Sequence, residues 1–255
     1  MKLTREEFQK YIYAYNEDEI FYKTLYLQEK EHPETFHEYC LTLDRELIYE
    51  HRLFVPELQA EAWYPYMKEA DLFHDMNGNI VLSKHYRYTP VFSHEHEFFE
   101  ILCVYDGTAH TTIQGIEHTL HTGDICIIPP HTTHSVGIFD DSVAFNILVR
   151  GSTFQSTFFQ SLTADSALAQ FFAHVLYRKT EGNYLIFHSG NDPQIHDMLE
   201  NLYIEYLGHA KYSYTFLNSM LIMFWAMLLR YHENDIESIL TKDSTGNSVT
   251  EILGY

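Results

Sequence analysis

Two stretches decide the reading of this chain: residues 93–107, SHEHEFFEILCVYDG, and residues 118–136, HTLHTGDICIIPPHTTHSV. In the first, His94, His96 and Glu100 stand at even spacing. Residues i and i+2 of a strand face the same side, so these three share one parity. A straight strand would hold His94 and Glu100 roughly 20 Å apart, too far to share an ion. A bend is therefore expected between His96 and Glu100. In the second stretch His134 follows the Pro129-Pro130 corner and can approach from another strand. Three imidazoles and one carboxylate suit Zn, Ni, Mn, Fe or Co, with one or two positions left for water or a ligand.

Outward from these stretches, residues 80–150 form short β-branched and aromatic runs: IVLSKHYRY, EFFEILCVY, AHTTIQG, IEHTL, DICIIP, HSVGIF and VAFNILV. Turn signals separate them, among them Asp106-Gly107, Gly115, Thr122-Gly123-Asp124 and Asp140-Asp141. Many short strands with regular turns predict an antiparallel sandwich or small barrel. Residues 1–76 are poor in Gly, and Phe8, Tyr11, Ile12 and Tyr15 recur at helical spacing, so short helices are expected there. Leu41, Ile48 and Leu53 fit that period less well. After Gly151 the pattern turns helical over 166–177, 193–209 and 214–231, with Asp192 as N-cap and Pro193 at the first helical position. The last of these is apolar on nearly every side and must be buried from several directions. Residues 233–250 are polar, like a linker, and EILGY reads as the start of a further helix.

The composition narrows the function classes. The chain has 255 residues, 45% hydrophobic and 20% charged, which fits a soluble globular protein and not a disordered or collagen-like one. Sixteen Lys+Arg against 36 Asp+Glu give a net charge of −20. Binding to nucleic acid relies on Lys and Arg displacing counterions, so a general DNA-binding surface is not expected; anionic membranes are disfavoured likewise. Cys40, Cys103 and Cys126 are scattered and read as thiols in a reducing compartment. The longest apolar run, residues 220–229, falls short of the roughly 20 needed to span a bilayer. The N-terminus carries no apolar signal core, so a cytoplasmic protein is expected.

At this point the residues carry a family resemblance. Tyr88-x5-His94-x-His96-x3-Glu100-x6-Gly107 and Gly123-x5-Pro129-x-His131-x2-His134-x3-Ile138 resemble the two cupin motifs, G-x5-H-x-H-x3or4-E-x6-G and G-x5-P-x-G-x2-H-x3-N. All four metal-ligand positions match in type and spacing. Tyr88 and His131 stand where the motifs have glycine, and Ile138 where they have asparagine. The resemblance implies an α+β fold: an antiparallel cupin-type β-barrel (double-stranded β-helix or jelly roll) with flanking N- and C-terminal helices.

The wider layout is similar to the N-terminal sensor half of AraC-type transcription regulators. That implies a mainly helical segment over 1–76, the cupin barrel over 77–150, a helical dimerisation segment over 151–232, and a linker over 233–255 leading to a DNA-binding domain outside this chain. The implied partners are a small-molecule effector, sugars being common in the family, and a second copy of the chain in a homodimer. His94, His96, Glu100 and His134 are the candidate ligand-binding and metal residues, and no catalytic residue is nominated. The rival readings are a metal-dependent cupin enzyme of dioxygenase or sugar isomerase type, with the same four residues holding the ion, and a storage or scaffold cupin without a ligand. In sensors of this type the four positions can also form a polar pocket floor without an ion. His85, His110, His118, His121 and His131 read as surface or hydrogen-bonded histidines.

Overall fold

The computed structural model describes residues 3–59, 66–73, 78–154 and 184–239. Its strands are β1 (Tyr66–Met67), β2 (Ile80–Lys84), β3 (Glu95–His96), β4 (Phe99–Asp106), β5 (Thr108–Ile113), β6 (Ile116–His121), β7 (Asp124–Ile128), β8 (His134–Gly137), β9 (Val143–Val149), β10 (Tyr184–His188) and β11 (Ile236–Ile239). One sheet runs β11-β10-β7-β4-β9-β2, antiparallel throughout; a second runs β6-β5-β8. β1 lies parallel to β3, and a bridge between His94 and His134 ties the start of β3 to β8.

Strand parity divides the six-stranded sheet into two apolar faces. Leu102, Val104, Cys126, Ile128, Ala144, Tyr184 and Ile186 point toward the three-stranded sheet and pack there with Ala109, Ile113, Leu120 and Val136. Ile101, Cys103, Ile125, Ile127, Phe145, Ile147, Leu185 and Phe187 point the other way, onto helices. Every residue of β7 is buried, so it reads as an unbroken apolar run instead of an alternating one. Each large side chain buried in full is worth about 1.5–3 kcal/mol, which makes this double-faced sheet the main source of cohesion. The turn before β7 rests on Gly123, at φ +87°. A Cβ there would meet the Gly190 carbonyl oxygen at 1.7 Å, so only glycine lets the β10 end approach.

The flanking helices form for local reasons. In α1 (Arg5–Tyr13), Thr4 and Glu7 make a capping box, and the buried face is Phe8 and Ile12, with Tyr11 exposed. In α2 (Glu17–Glu31), Asn16 and Glu19 repeat the device. The helix Pro193–Gly208 starts as expected, with the Asp192 carboxylate accepting from Gln194 N–H and Pro193 in the first turn. Together with the helix Ser213–His232 it covers the outer face of the large sheet. No helix among the described residues is long and apolar enough to cross a membrane.

Four expectations are corrected or limited by the structure. The segment after residue 151 is not purely helical, and 233–255 is not purely a linker. β10 adds to the edge of the large sheet beside β7, and β11 pairs with β10. In β10 the four residues Tyr184 to Phe187 are all buried, alternately on the two faces. Such a run has no polar alternation to betray a strand. The helix expected over 166–177 lies outside the described residues. Finally, the helix Ser213–His232 buries Leu217, Leu221, Phe224, Trp225 and Leu228 within its own chain, leaving Phe216 61% and Met223 51% exposed. The sheet and the neighbouring helix therefore supply more of its burial than its all-round apolarity suggested. Of the less regular positions nearer the N-terminus, Ile48 and Leu53 are buried and Leu41 is exposed.

Candidate metal and effector site

The chain bends at Glu97 and Phe98, between β3 and β4. The bend returns the Glu100 carboxylate toward the imidazoles, and His134 enters from the start of β8. Ligand atoms of His94, Glu100 and His134 all lie within 4.8 Å of one another. His96 flanks this trio: its Nε2 is 3.2 Å from Glu100 Oε2, its ring is 5.0 Å from that of His134, and it stacks on Phe98 at 4.4 Å. Its ring lies 6.3 Å from that of His94, farther than the 4.2 Å between His94 and His134. The structure thus gathers all four predicted residues and makes three of them converge. All four are buried, with His94 the most accessible at 9%.

The hydrogen bonding leaves donor atoms free for a guest. His134 Nδ1 lies 2.9 Å from the Thr132 carbonyl and His94 Nδ1 3.3 Å from the Phe92 carbonyl. A carbonyl can only accept, so each Nδ1 carries a proton and Nε2 is the nitrogen each ring offers to a metal. His134 Nε2 stands 3.5 Å from Glu100 Oε2, yet neither it nor either ring nitrogen of His96 makes a hydrogen bond of acceptable geometry. Buried, unpartnered ring nitrogens beside a carboxylate are what a divalent cation completes, so the residues fit one.

The electrostatics agree with this geometry. Burial holds His94 down to about 3 and lowers His96 as well, so both are neutral near pH 7. Burial opposes charge on Glu100, but His134 and His96 facing it hold the carboxyl well below its usual range. Burial likewise opposes charge on His134, and the Glu100 carboxylate outweighs it and raises the imidazole. Glu100 thus favours a second proton on His134, at the Nε2 that faces it, and a cation would have to displace that proton.

The departures from the cupin motif have a structural answer. Tyr88 and His131, in place of the motif glycines, both adopt left-handed backbone, at φ 63° and 60°. The turns are kept without glycine. His131 N–H donates to the His96 carbonyl at 2.9 Å, and its ring stacks on Tyr66 of β1. His118 bonds the Tyr184 hydroxyl at 2.6 Å and His110 meets Thr119, as expected of hydrogen-bonded histidines. Another acidic cluster, His196, Asp197 and Glu200, also converges. The Arg5 guanidinium already bridges Asp197 at 3.1 Å and Glu200 at 2.8 Å, which leaves no demand for a metal.

Sequence reasoning passed over two residues on the inner face. His85, read as a surface or hydrogen-bonded histidine, has its Nε2 buried without a partner, and so does Asn146 Oδ1. A signal existed for Asn146: it is the single polar residue of the run VAFNILV.

The comparisons with known proteins follow the same line. The profile described as AraC-like ligand binding domain matches residues 78–221, more than half of the chain. No curated protein sequence matches. Among solved structures the chain is similar to a cupin protein from Bacteroides fragilis, at 22% identity over 30% of this chain and 70% of that one, with a TM-score of 0.26. It is similar to KdgF from Halomonas sp., at 23% identity over 28% and 69%, with a TM-score of 0.26. A variant of apo ToxT from Vibrio cholerae is similar at 12% identity over 60% of this chain and 56% of that one, with a TM-score of 0.44. On the profile match, with the jelly-roll sheets and the His/Glu cluster where the motifs place them, the chain belongs to the AraC-like ligand binding domain family.

Proposed function

We propose that this chain is the effector-binding and dimerisation module of a cytoplasmic AraC-type transcription regulator, a sensor and not a catalyst. A small molecule binds between the two sheets at His94, His96, Glu100 and His134, and a divalent transition metal (Zn, Ni, Mn, Fe or Co) is held by the same side chains. The observation that carries this reading is the convergence of His94, Glu100 and His134 ligand atoms within 4.8 Å in a buried position. Bound there, the cation would supply a Lewis-acid anchor for an effector oxygen. With a net charge of −20 the module leaves contact with DNA to a separate domain.

The dimer surface in this proposal is the outer stripe of the helix Ser213–His232. Phe216, Met223 and Tyr231 are exposed, with the half-buried Met220 and Met227 between them. Their recurrence at three- and four-residue spacing suits a seam against the same helix of a second copy. The metal part is tested by thermal unfolding with Zn²⁺, Ni²⁺ and Mn²⁺ added singly. At least one should raise the Tm of the wild type by several degrees and leave a His94→Ala, His134→Ala double variant unmoved. An equal shift in both proteins would place the metal elsewhere.

A further inference from the structure

The strand β11 is held by side chains as well as by its ladder. It is four residues long, lies at the end of the large sheet and pairs only with β10 among the described residues. Short edge ladders are the parts of a sheet that open most easily. Two histidines stand at its approaches. His188 closes β10: its Nδ1 is 2.9 Å from Asp124 Oδ1, at the start of β7, and its Nε2 is 3.5 Å from Glu237 Oε2 of β11. His232 closes the helix Ser213–His232. Its Nε2 is 2.8 Å from Asp192 Oδ2, and its Nδ1 is 3.4 Å from Asp235 Oδ2, in the turn Glu233–Asp235 that leads into β11.

Each ring thus spans two carboxylates, one fixed to the body of the domain and one carried by the arriving segment. Asp124 is fixed by accepting from the His121 N–H at 2.8 Å, and Asp192 by accepting from the Gln194 N–H at 2.8 Å. Asp235 and Glu237 are about half exposed. A neutral imidazole has one N–H, so it donates to one carboxylate and turns a lone pair toward the other. An imidazolium donates to both. The charges point the same way: among the described residues no Lys or Arg pairs with any of the four carboxylates, and these two rings are their only ion-pair partners. Burial alone would lower His188, yet Asp124 and Glu237 outweigh it and raise the imidazole. Burial would raise Asp192, yet His232 and the N–H groups of the helix start outweigh it and lower the carboxyl.

We propose that protons on His188 and His232 clasp β11 to the sheet, so that β11 is docked while both rings are charged and comes away from β10 when they are neutral. A ring that loses its charge keeps its shorter bond, to the fixed carboxylate, and turns its lone pair onto Glu237 or Asp235. The repulsion therefore falls on the segment that can move. For His188 the docked form holds the proton more tightly. Its contribution is full below the ordinary histidine value of about 6.5 and is lost as the pH rises through the higher value of the docked state. Release would bare the β10 edge and untie the end of the helix Ser213–His232. The clasp lies apart from the His/Glu cluster and rests on neither the metal nor the effector.

The test is hydrogen exchange of the full chain, read by mass spectrometry at about pH 6 and about pH 8.5 and corrected for the intrinsic pH dependence of exchange. The proteins are the wild type, a His188→Gln, His232→Gln variant and an Asp235→Asn, Glu237→Gln variant. In the wild type the protection of Ile236–Ile239 should fall about tenfold from the lower pH to the higher, while that of β7 holds. In the histidine variant β11 should be weakly protected at both. In the carboxamide variant an N–H donor faces the lone pair of each neutral ring, so β11 should stay protected at the higher pH. Histidines that merely fill space would not produce that rescue. The inference is overturned if wild-type β11 is equally protected at both pH values, if the histidine variant keeps the wild-type pH dependence, or if the carboxamide variant loses β11 at the higher pH. The carboxamide variant, changed only at half-exposed positions, decides the matter if the histidine variant does not fold.

Discussion

Glu19→Gln should loosen the N-terminal helices from the jelly roll. The Glu19 carboxylate, at the first turn of α2, accepts from Lys84 Nζ at 2.7 Å and from Arg87 Nε and Nη2 at 2.8 and 3.1 Å. The three side chains are 0%, 6% and 1% exposed, and Arg87 also lies 3.6 Å above the Tyr15 ring. Removing the one anion leaves two buried cations without a counter-charge, and breaking a buried pair costs about 3–5 kcal/mol. Lys84 and Arg87 keep the Ala14 carbonyl, at 2.8 and 3.0 Å, so the lower end, about 3 kcal/mol, is expected. For a chain of this size that lowers Tm by about 6–12 °C. Thermal unfolding followed by circular dichroism measures it, with Glu6→Gln as control, because the Glu6–Lys10 pair is exposed and worth little. The effect also has a pH signature. Burial works against the Glu19 charge, but Arg87 and Lys84 outweigh it and lower its pKa from 4.5. A depressed carboxyl contributes stability above its unfolded pKa and loses it as the pH falls through the folded one. The difference between wild type and Glu19→Gln should therefore be full above about pH 5 and shrink below pH 4.5. A loss under 0.5 kcal/mol at pH 7, or a difference that grows in acid, would refute the reasoning.

Other expectations are more local. Gly123→Ala should destabilise by about 2–4 kcal/mol in denaturant unfolding, because its Cβ meets Gly190 backbone at a positive φ; a neutral result would mean that the β7 and β10 ends do not approach as described. Sedimentation at micromolar concentration should show a species near twice 30.1 kDa that falls to the monomer in a Phe216→Glu, Met223→Glu double variant; a wild-type monomer would remove the proposed seam. Trp225 is unsuitable for that test, since at 1% exposure it belongs to the core of its own chain. Metal affinity should weaken as the pH falls from 7.5 to 6, because a cation must displace the proton that Glu100 favours on His134; titration by calorimetry would show it, and pH-independent binding would exclude His134 as a ligand.

Much of the site was legible because its constraints are local. The parity of His94, His96 and Glu100, set against the length of a strand, demanded the bend that Glu97 and Phe98 make. The turn signals cut the chain into the runs from β4 to β9 with small errors at the ends. Where the sequence misled, distant partners decided. β10 reads as featureless apolar chain because helices cover one of its faces and the opposite sheet the other. β11 becomes a strand because β10 offers an edge. Tyr88 and His131 keep left-handed turns that glycine would announce. His85 looked like one histidine among seventeen, and only its register on β9 turns it inward. The helix Ser213–His232 was read as needing a second burying surface, and its own sheet and neighbour supply most of it.

The most direct test of the central claim is elemental analysis of protein purified without chelator, in the wild type and in the His94→Ala, His134→Ala variant. The account predicts close to one divalent transition metal per chain in the wild type and none in the variant, with both folded by circular dichroism. Metal retained in the variant, or a wild type that stays metal-free after incubation with equimolar Zn²⁺ or Ni²⁺, would contradict it.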